Sequence, residues 1–144
     1  MMADVYAESS AVLRWLLGAP DAANIGNVLA KADRVVTSAI TSAEVGRTLR
    51  RLVAMEQLSP SARDQAWVRF TGASAHWNIY AVTDAVLSRA VEPFPAEPIR
   101  TLDAIHLATA ALYAAEIGPP MVLSTDAHLR QNAEGIGLAV VPSM

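Results

Sequence analysis

Cysteine is absent from this 144-residue chain, which excludes a disulfide framework, a thiolate zinc site and a cysteine nucleophile. The absence of cysteine is compatible with a reducing compartment. Its three histidines, His76, His106 and His128, lie far apart in the sequence and form no close ligand pair of the HExxH kind. Zinc is not the metal that this composition predicts.

Long hydrophobic runs are also missing. The longest strongly apolar run, residues 104–115, contains His106 and is too short to cross a bilayer. Asp4 and Glu8 precede the apolar part of the N-terminus, where a secretion signal would carry positive charge. We therefore expect a cytoplasmic protein.

The sequence has no excess of positive charge. Its 14 acidic residues outnumber its 11 Arg and Lys residues, so the formal net charge at pH 7 is −3. Proteins that bind nucleic acid through overall electrostatic attraction are usually basic. Any contact with RNA must therefore be local, or be aided by metal ions or by a partner chain.

Short apolar runs alternate with longer helical patterns along the whole chain. This alternation predicts βαβ units, and therefore a mostly parallel central sheet with helices on both faces, in a single α/β domain spanning residues 1–144. A proline-rich segment, residues 92–99, interrupts regular structure. Strands are predicted at residues 4–7, 34–38, 76–82, 121–124 and 138–141, and helices at residues 9–17, 21–32, 41–58, 60–70, 83–91, 101–117 and 127–134.

Four acidic residues stand at positions where such a fold places functional groups. Glu8 and Asp126 directly follow predicted strands, while Glu44 and Asp103 fall in the first turns of predicted helices. In parallel α/β sheets the functional crevice lies beyond the carboxyl ends of the strands. If both helices begin near that edge, all four carboxylates converge on one pocket.

Each acid also has a purely structural explanation, because carboxylates near a helix start complement the helix dipole and cap free amides. Residues 41–44 even spell a capping box, with Thr41 as the N-cap and Glu44 reaching back to it. Asp103 is harder to explain in this way. It opens a nearly uncharged helix that carries no basic residue to pair with it, and a carboxylate beside a buried helix is costly unless it is paired or bound to a cation.

Three stretches of the sequence resemble the signature segments of PIN-domain nucleases, especially the VapC-type toxins. In order along the chain they are VYAESSAVL (residues 5–13), LDAIHLATA (102–110) and LSTDAHL (123–129). The segment from Thr41 to Arg51 matches the remaining acidic position through Glu44. The resemblance covers essentially the whole chain.

This resemblance implies a catalytic and metal-binding set of Glu8, Glu44, Asp103 and Asp126, with Asp103 and Glu8 on the tighter ion. Ser9 and Ser124 would supply supporting hydroxyl groups. Hard oxygen ligands select Mg²⁺ or Mn²⁺, and the expected reaction is phosphodiester hydrolysis in RNA. The chain departs from the family at Glu8, because the first position is usually aspartate and the extra methylene moves the carboxylate by about one carbon–carbon bond.

The resemblance also implies a cognate antitoxin, whose tail covers the acidic pocket, and a homodimer. Four arginines are candidates for binding RNA phosphates: Arg14, Arg47, Arg51 and Arg130. For those on the predicted 41–58 helix, a solvated helix face is an equally good explanation. His106 lies within the apolar helix, where a hydrogen bond in the core is favoured over a direct catalytic role.

Two other functions fit the same fold. The first is a catalytically weakened PIN-like module that binds RNA or protein, with Glu8 marking an altered site. The second is a small-molecule enzyme such as a phosphatase or nucleotide hydrolase. No glycine-rich loop of the GxGxxG or GxxxxGK[ST] kind occurs, so nucleotide binding through backbone amides has no sequence support.

Overall fold

The structure, a computed structural model, describes residues 3–144. Strands and helices alternate along this part of the chain, as the sequence pattern predicts. The elements are β1 (Asp4–Ala7), α1 (Ser9–Leu16), α2 (Ala22–Lys31), β2 (Arg34–Ser38), α3 (Ile40–Ala54), α4 (Pro60–Ser74), β3 (Asn78–Tyr80), α5 (Asp84–Ala90), α6 (Thr101–Glu116), β4 (Met121–Leu123), α7 (Ala127–Gly135) and β5 (Val140–Val141).

The five strands form one sheet in the order β3-β2-β1-β4-β5, and every neighbouring pair is parallel. In the register of the central strand, Tyr6 lies opposite Val36 on β2 and Val122 on β4. From β1 the chain first adds β2 and β3 on one side of the sheet and then β4 and β5 on the other side. β1 and β4 therefore flank the topological switch point, where ligands bind in such sheets.

Alternate residues of β1 face opposite sides of the sheet, as the two-residue period of a strand requires. Val5 and Ala7 pack with α1 to α4, whereas Tyr6 packs with α6 and α7. Both faces of the sheet are therefore covered by helices, which confirms the predicted fold class. Among residues 3–144, no helix combines the length and the apolar character that crossing a membrane requires.

Helix α3 differs from its prediction at both ends. It begins at Ile40, and Ala39 takes the N-cap position without a capping side chain. It ends at Ala54 rather than at residue 58, because Glu56 adopts a left-handed backbone (φ 58°), which stops the helix. Helix α4 begins as predicted, with the Ser59 side chain capping Ala62 N–H, and it continues to Ser74, four residues beyond the prediction.

Candidate active site at the carboxyl edge of the sheet

The four acidic residues singled out in the sequence lie at the carboxyl edge of the sheet. Glu8 follows β1, and its backbone N–H donates to the carbonyl of Leu123 at the end of β4 (3.0 Å). Asp126 is the N-cap of α7, which follows β4. Asp103 lies in the first turn of α6, and Glu44 in the second turn of α3. The topology thus gathers residues from both ends of the chain around the switch point.

Asp103 is electrostatically coupled to two of the other acids. Burial raises its pKa, and the negative charges of Asp126 and Glu44 raise it further, while the charges of Arg100 and His106 act in the opposite direction. Such coupling requires the three carboxylates to be near one another. A cation bound among these three carboxylates would be stabilised by their negative charge.

The Glu8 side chain is buried and is almost fully used in hydrogen bonds within the protein. Its Oε2 accepts from the backbone N–H of Ser10 (2.7 Å), which makes Glu8 the N-cap of α1. Its Oε1 accepts from the hydroxyls of Ser10 (2.5 Å) and Ser124 (2.6 Å). A carboxylate has about four acceptor positions, so these bonds leave Glu8 about one position for any other ligand.

Glu44 is held by a buried chain of polar side chains. Its Oε1 accepts from the Ser9 hydroxyl (2.8 Å) and lies 2.5 Å from Nε2 of His106. The other nitrogen of His106, Nδ1, lies 2.7 Å from the Tyr6 hydroxyl. Because a carboxylate only accepts, Nε2 carries the hydrogen that points to Glu44, and in a neutral ring Nδ1 accepts from Tyr6.

These contacts keep Glu44 ionised. Burial alone would raise its pKa, but the hydrogen bonds from His106 and Ser9 and the charges of His106 and Arg100 lower it overall. Tyr6 stays a neutral donor, because burial and the nearby charges of Glu8 and Glu44 raise its pKa well above the ordinary value. The core hydrogen bond expected for His106 is thus present, and its partner is an acid of the site.

The capping box predicted at residues 41–44 is wrong. Glu44 turns away from the start of α3 towards Ser9 and His106, and the Thr41 hydroxyl instead lies 2.7 Å from the Thr37 hydroxyl in the core. Hydrogen bonds from the buried side chains of His106 and Ser9 to the Glu44 carboxylate are stronger than a hydrogen bond from a solvated backbone amide.

Helix α6 carries no Arg or Lys, as the sequence indicates, but Asp103 has a basic neighbour directly before the helix. Arg100, the N-cap residue of α6, places its Nε 3.5 Å from Oδ2 of Asp103. The Arg100 side chain is 85% exposed, so this ion pair contributes little and leaves Oδ1 of Asp103 without a partner among residues 3–144. The spacing of three residues was visible in the sequence, but Arg100 lay outside the predicted helix.

Asp126 and the loop before it are ordered by further polar contacts. Oδ1 of Asp126 accepts from the backbone N–H of Leu129 (2.9 Å), and Oδ2 has no partner among the described residues. Arg130 donates to the carbonyl of Ser124 (2.8 Å), and the Ser124 hydroxyl accepts from the backbone N–H of Asp126 (3.1 Å) while donating to Glu8. Both hydroxyls named as supporting groups, Ser9 and Ser124, thus donate to acids of the predicted set.

Three of the acids each keep one carboxylate oxygen without a hydrogen-bond partner in the described part of the chain: Glu44, Asp103 and Asp126. Within residues 3–144, no three Asp, Glu or His side chains are positioned to share one ion. Mg²⁺ does not require such a cage, since it keeps several waters and takes one or two carboxylates together with substrate phosphates. The donor set therefore fits a hard dication held by two carboxylates.

The four candidate arginines occupy different environments. Arg14 is paired with Asp21, to which its Nε donates at 2.9 and 3.0 Å. Arg130 is used in ordering the loop after β4. Arg47 and Arg51 are exposed on α3 and line a groove that also includes Glu44. Of the four, only Arg47 and Arg51 have no hydrogen bond or ion pair with any residue that the structure describes, and both lie next to the acidic site.

Comparisons with known proteins agree with this architecture. A family model described as PIN domain matches residues 5–135. Ribonuclease VapC46 of Mycobacterium tuberculosis (strain ATCC 25618 / H37Rv) is 33% identical over 140 residues, covering 97% of this chain and 98% of that protein.

Two solved structures share the fold. A toxin–antitoxin complex from Klebsiella pneumoniae has a TM-score of 0.64 at 19% identity, covering 96% of both chains. VapBC2 from Rickettsia felis, bound to a DNA fragment from its promoter, has a TM-score of 0.66 at 10% identity, covering 96% of this chain and 97% of the other.

Proposed function

Because the chain belongs to the PIN-domain family, we propose that it is an endoribonuclease, acting as the toxin of a toxin–antitoxin pair and depending on Mg²⁺ or Mn²⁺. Its 33%-identical relative, matched over almost the full length of both proteins, is named a ribonuclease. The observation that carries the proposal is the placement of Asp103, Asp126 and Glu44 at the carboxyl edge of the sheet, each with one carboxylate oxygen that has no hydrogen-bond partner among residues 3–144. The repulsion from Asp126 and Glu44 that helps to raise the pKa of Asp103 supports the proximity of these three acids.

We assign the cation to Asp103 and Asp126. Each has an oxygen without a partner in the described chain, and the raised pKa of Asp103 reflects a site where added positive charge is favourable. A bound Mg²⁺ or Mn²⁺ would supply charge to stabilise the phosphate oxygens and would make a coordinated water a better nucleophile. In this arrangement Glu8 chiefly orders the loop between β4 and α7, which differs from its expected place on the tighter ion.

Glu44 is the group that we assign to orient the attacking water. Its Oε1 is fixed by His106 and Ser9, so Oε2 is the oxygen left to accept a hydrogen bond from water and then its proton. His106 and Tyr6 act as positioning residues, because they hold the carboxylate rather than touch the substrate. The lowered pKa of Glu44 means that this acceptor is ionised at neutral pH.

The partner and the assembly are part of the same proposal. Of the two structural neighbours named above, one is a toxin–antitoxin complex and the other is VapBC2 bound to promoter DNA. We infer that this protein works in the cytoplasm, binds a cognate antitoxin that covers the acidic site, and forms a homodimer. Growth arrest on expression, relieved by co-expression of the partner and absent for Asp103→Asn, is the expected behaviour.

RNA cleavage tests the enzymatic part directly. The purified protein is incubated with structured RNAs in Mg²⁺, in Mn²⁺ and in EDTA, alongside Asp103→Asn and the matched control Asp64→Asn. Asp64 is exposed on α4 and lies outside the site. We expect cleavage by the wild type and by Asp64→Asn in either metal, and none by Asp103→Asn or in EDTA.

Two other results would each point to a different function. If every RNA stays intact in both metals while the protein still retains RNA or a protein partner, the chain is a binding module. The use of Glu8 in internal hydrogen bonds is the feature that would explain such a loss. If inorganic phosphate is released from a simple monoester faster than RNA is cut, the chain is a small-molecule phosphatase.

A further inference from the structure

A groove of about 310 Å³ opens beside the acidic site, between α3 and the start of α6. Its apolar walls include Ile40 and the exposed Leu102, and its polar lining includes Glu44, Arg47 and Arg51. The groove shares Glu44 with the acidic site, and Leu102 is the residue next to Asp103. The two sites are therefore continuous.

The groove concentrates positive charge in an acidic protein. Arg47 and Arg51 are four residues apart on one face of α3, where like charges repel by a few tenths of a kcal/mol unless an anion lies between them. Neither guanidinium has a hydrogen bond or ion pair with any residue from 3 to 144. The formal net charge of the chain is −3, so this pair is a local exception suited to a negatively charged ligand.

The spacing of the polar residues along α3 suits a nucleic acid strand. Glu44, Arg47 and Arg51 follow one another at helical spacing, and seven residues of α-helix span about 10 Å. At a rise of about 3.4 Å per nucleotide in a helical strand, that distance covers roughly three nucleotides. A strand whose reacting phosphate lies at Glu44 and Asp103 would therefore pass both arginines.

We propose that this groove binds the RNA segment next to the scissile phosphodiester bond. Arg47 and Arg51 contact its phosphates, while Leu102 and Ile40 contact the apolar face of a base or sugar. The inference rests on the proposed nuclease function, because continuity with the acidic site is what favours substrate over a peptide as the occupant. Arginine forks match phosphate geometry, and apolar side chains accept any base without reading its sequence.

The test measures RNA binding separately from cleavage. All variants are made in the Asp103→Asn background, and their affinity for fluorescein-labelled, short single-stranded RNA of random sequence is followed by anisotropy over a range of salt concentrations. The double variant Arg47→Gln/Arg51→Gln removes the proposed contacts. The matched control is Arg50→Gln, which removes an exposed arginine of the same helix that does not line the groove.

The double variant is expected to bind RNA roughly tenfold more weakly, since each of the two exposed charge contacts contributes about a few-fold to affinity. The slope of log affinity against log salt should also become shallower by about 1.4, because each phosphate contact on a single strand contributes roughly 0.7. Arg50→Gln should change neither quantity. Leu102→Ala should weaken binding at every salt concentration without changing the slope.

Equal affinity and equal slope for the double variant and for Arg50→Gln would overturn the proposal. So would a double variant that binds RNA normally but no longer binds the partner protein, because the groove would then belong to that partner. Failure of the nuclease function gives a different pattern. In that case the wild type cuts no RNA in either metal, while the arginine pair still sets RNA affinity and its salt dependence.

Discussion

Replacing Glu8 by alanine should lower the stability of the fold while leaving most of the stabilisation by Mn²⁺ in place. The carboxylate caps α1 through Ser10 and ties the loop after β4 through Ser124. Loss of the N-cap costs about 0.5–2 kcal/mol, and each of the two hydroxyl hydrogen bonds adds about 1 kcal/mol. The expected loss in free energy of unfolding is therefore about 2.5–4 kcal/mol.

Thermal unfolding in EDTA and in Mn²⁺ measures both effects. For a domain of this size 1 kcal/mol corresponds to roughly 3–4 °C, so Glu8→Ala should lower the Tm by about 8–16 °C in EDTA. Bound metal raises the Tm by mass action, and this increase should largely persist in Glu8→Ala if Asp103 and Asp126 hold the ion.

The comparison variant, Asp103→Asn, should behave in the opposite way. In EDTA it should be at least as stable as the wild type, because burial and neighbouring acids disfavour the charged form of Asp103. In Mn²⁺ its Tm should not rise. Our reasoning about Glu8 is refuted if Glu8→Ala unfolds at the wild-type temperature in EDTA, or if it loses the Mn²⁺ response as completely as Asp103→Asn does.

Three further predictions concern the scaffold. In urea titrations, Tyr6→Phe should cost about 1–3 kcal/mol, because the buried Nδ1 of His106 loses the hydroxyl that donates to it. Gly135→Ala should destabilise in the same assay, since an added Cβ would lie 2.7 Å from the ring of a facing proline. Gly72→Ala, which meets open space within α4, should stabilise by roughly 0.5–1 kcal/mol, and the reverse ranking would contradict the packing. Burial alone would raise the pKa of Asp4, but hydrogen bonds from Tyr113 and Arg34, together with the ion pair to Arg34, lower that pKa overall. The contribution of Asp4 to stability is therefore present above about pH 4 and is lost as the pH falls further. Asp4→Asn should therefore flatten the acid side of a plot of stability against pH, and an unchanged curve would count against this ion pair.

The sequence determined the fold class because local signals and hydrophobic periods agreed along most of the chain. β1 and β2 have the predicted bounds, and α4 begins at Pro60 after its serine cap. The predictions that failed concern the ends of elements: β3 spans Asn78–Tyr80 rather than residues 76–82, β5 spans Val140–Val141 rather than residues 138–141, and α3 begins and ends elsewhere than predicted. Helix α3 ends before Glu56, whose backbone is left-handed, and no residue pattern at that position predicts a left-handed backbone.

The sequence also identified which acids to inspect, because strand ends and helix starts can be read from the pattern. Tertiary structure decided which hydrogen bonds each acid makes. Glu8 accepts a hydrogen bond from Ser124, which is 116 residues away in the sequence. Glu44 accepts one from His106, 62 residues away, instead of capping the start of its own helix. Hydrogen-bond partners at such separations depend on how the strands are ordered and on which helix covers which face. No local signal in the sequence encodes that arrangement, so the hydrogen-bond partners of these carboxylates could be identified only from the folded structure.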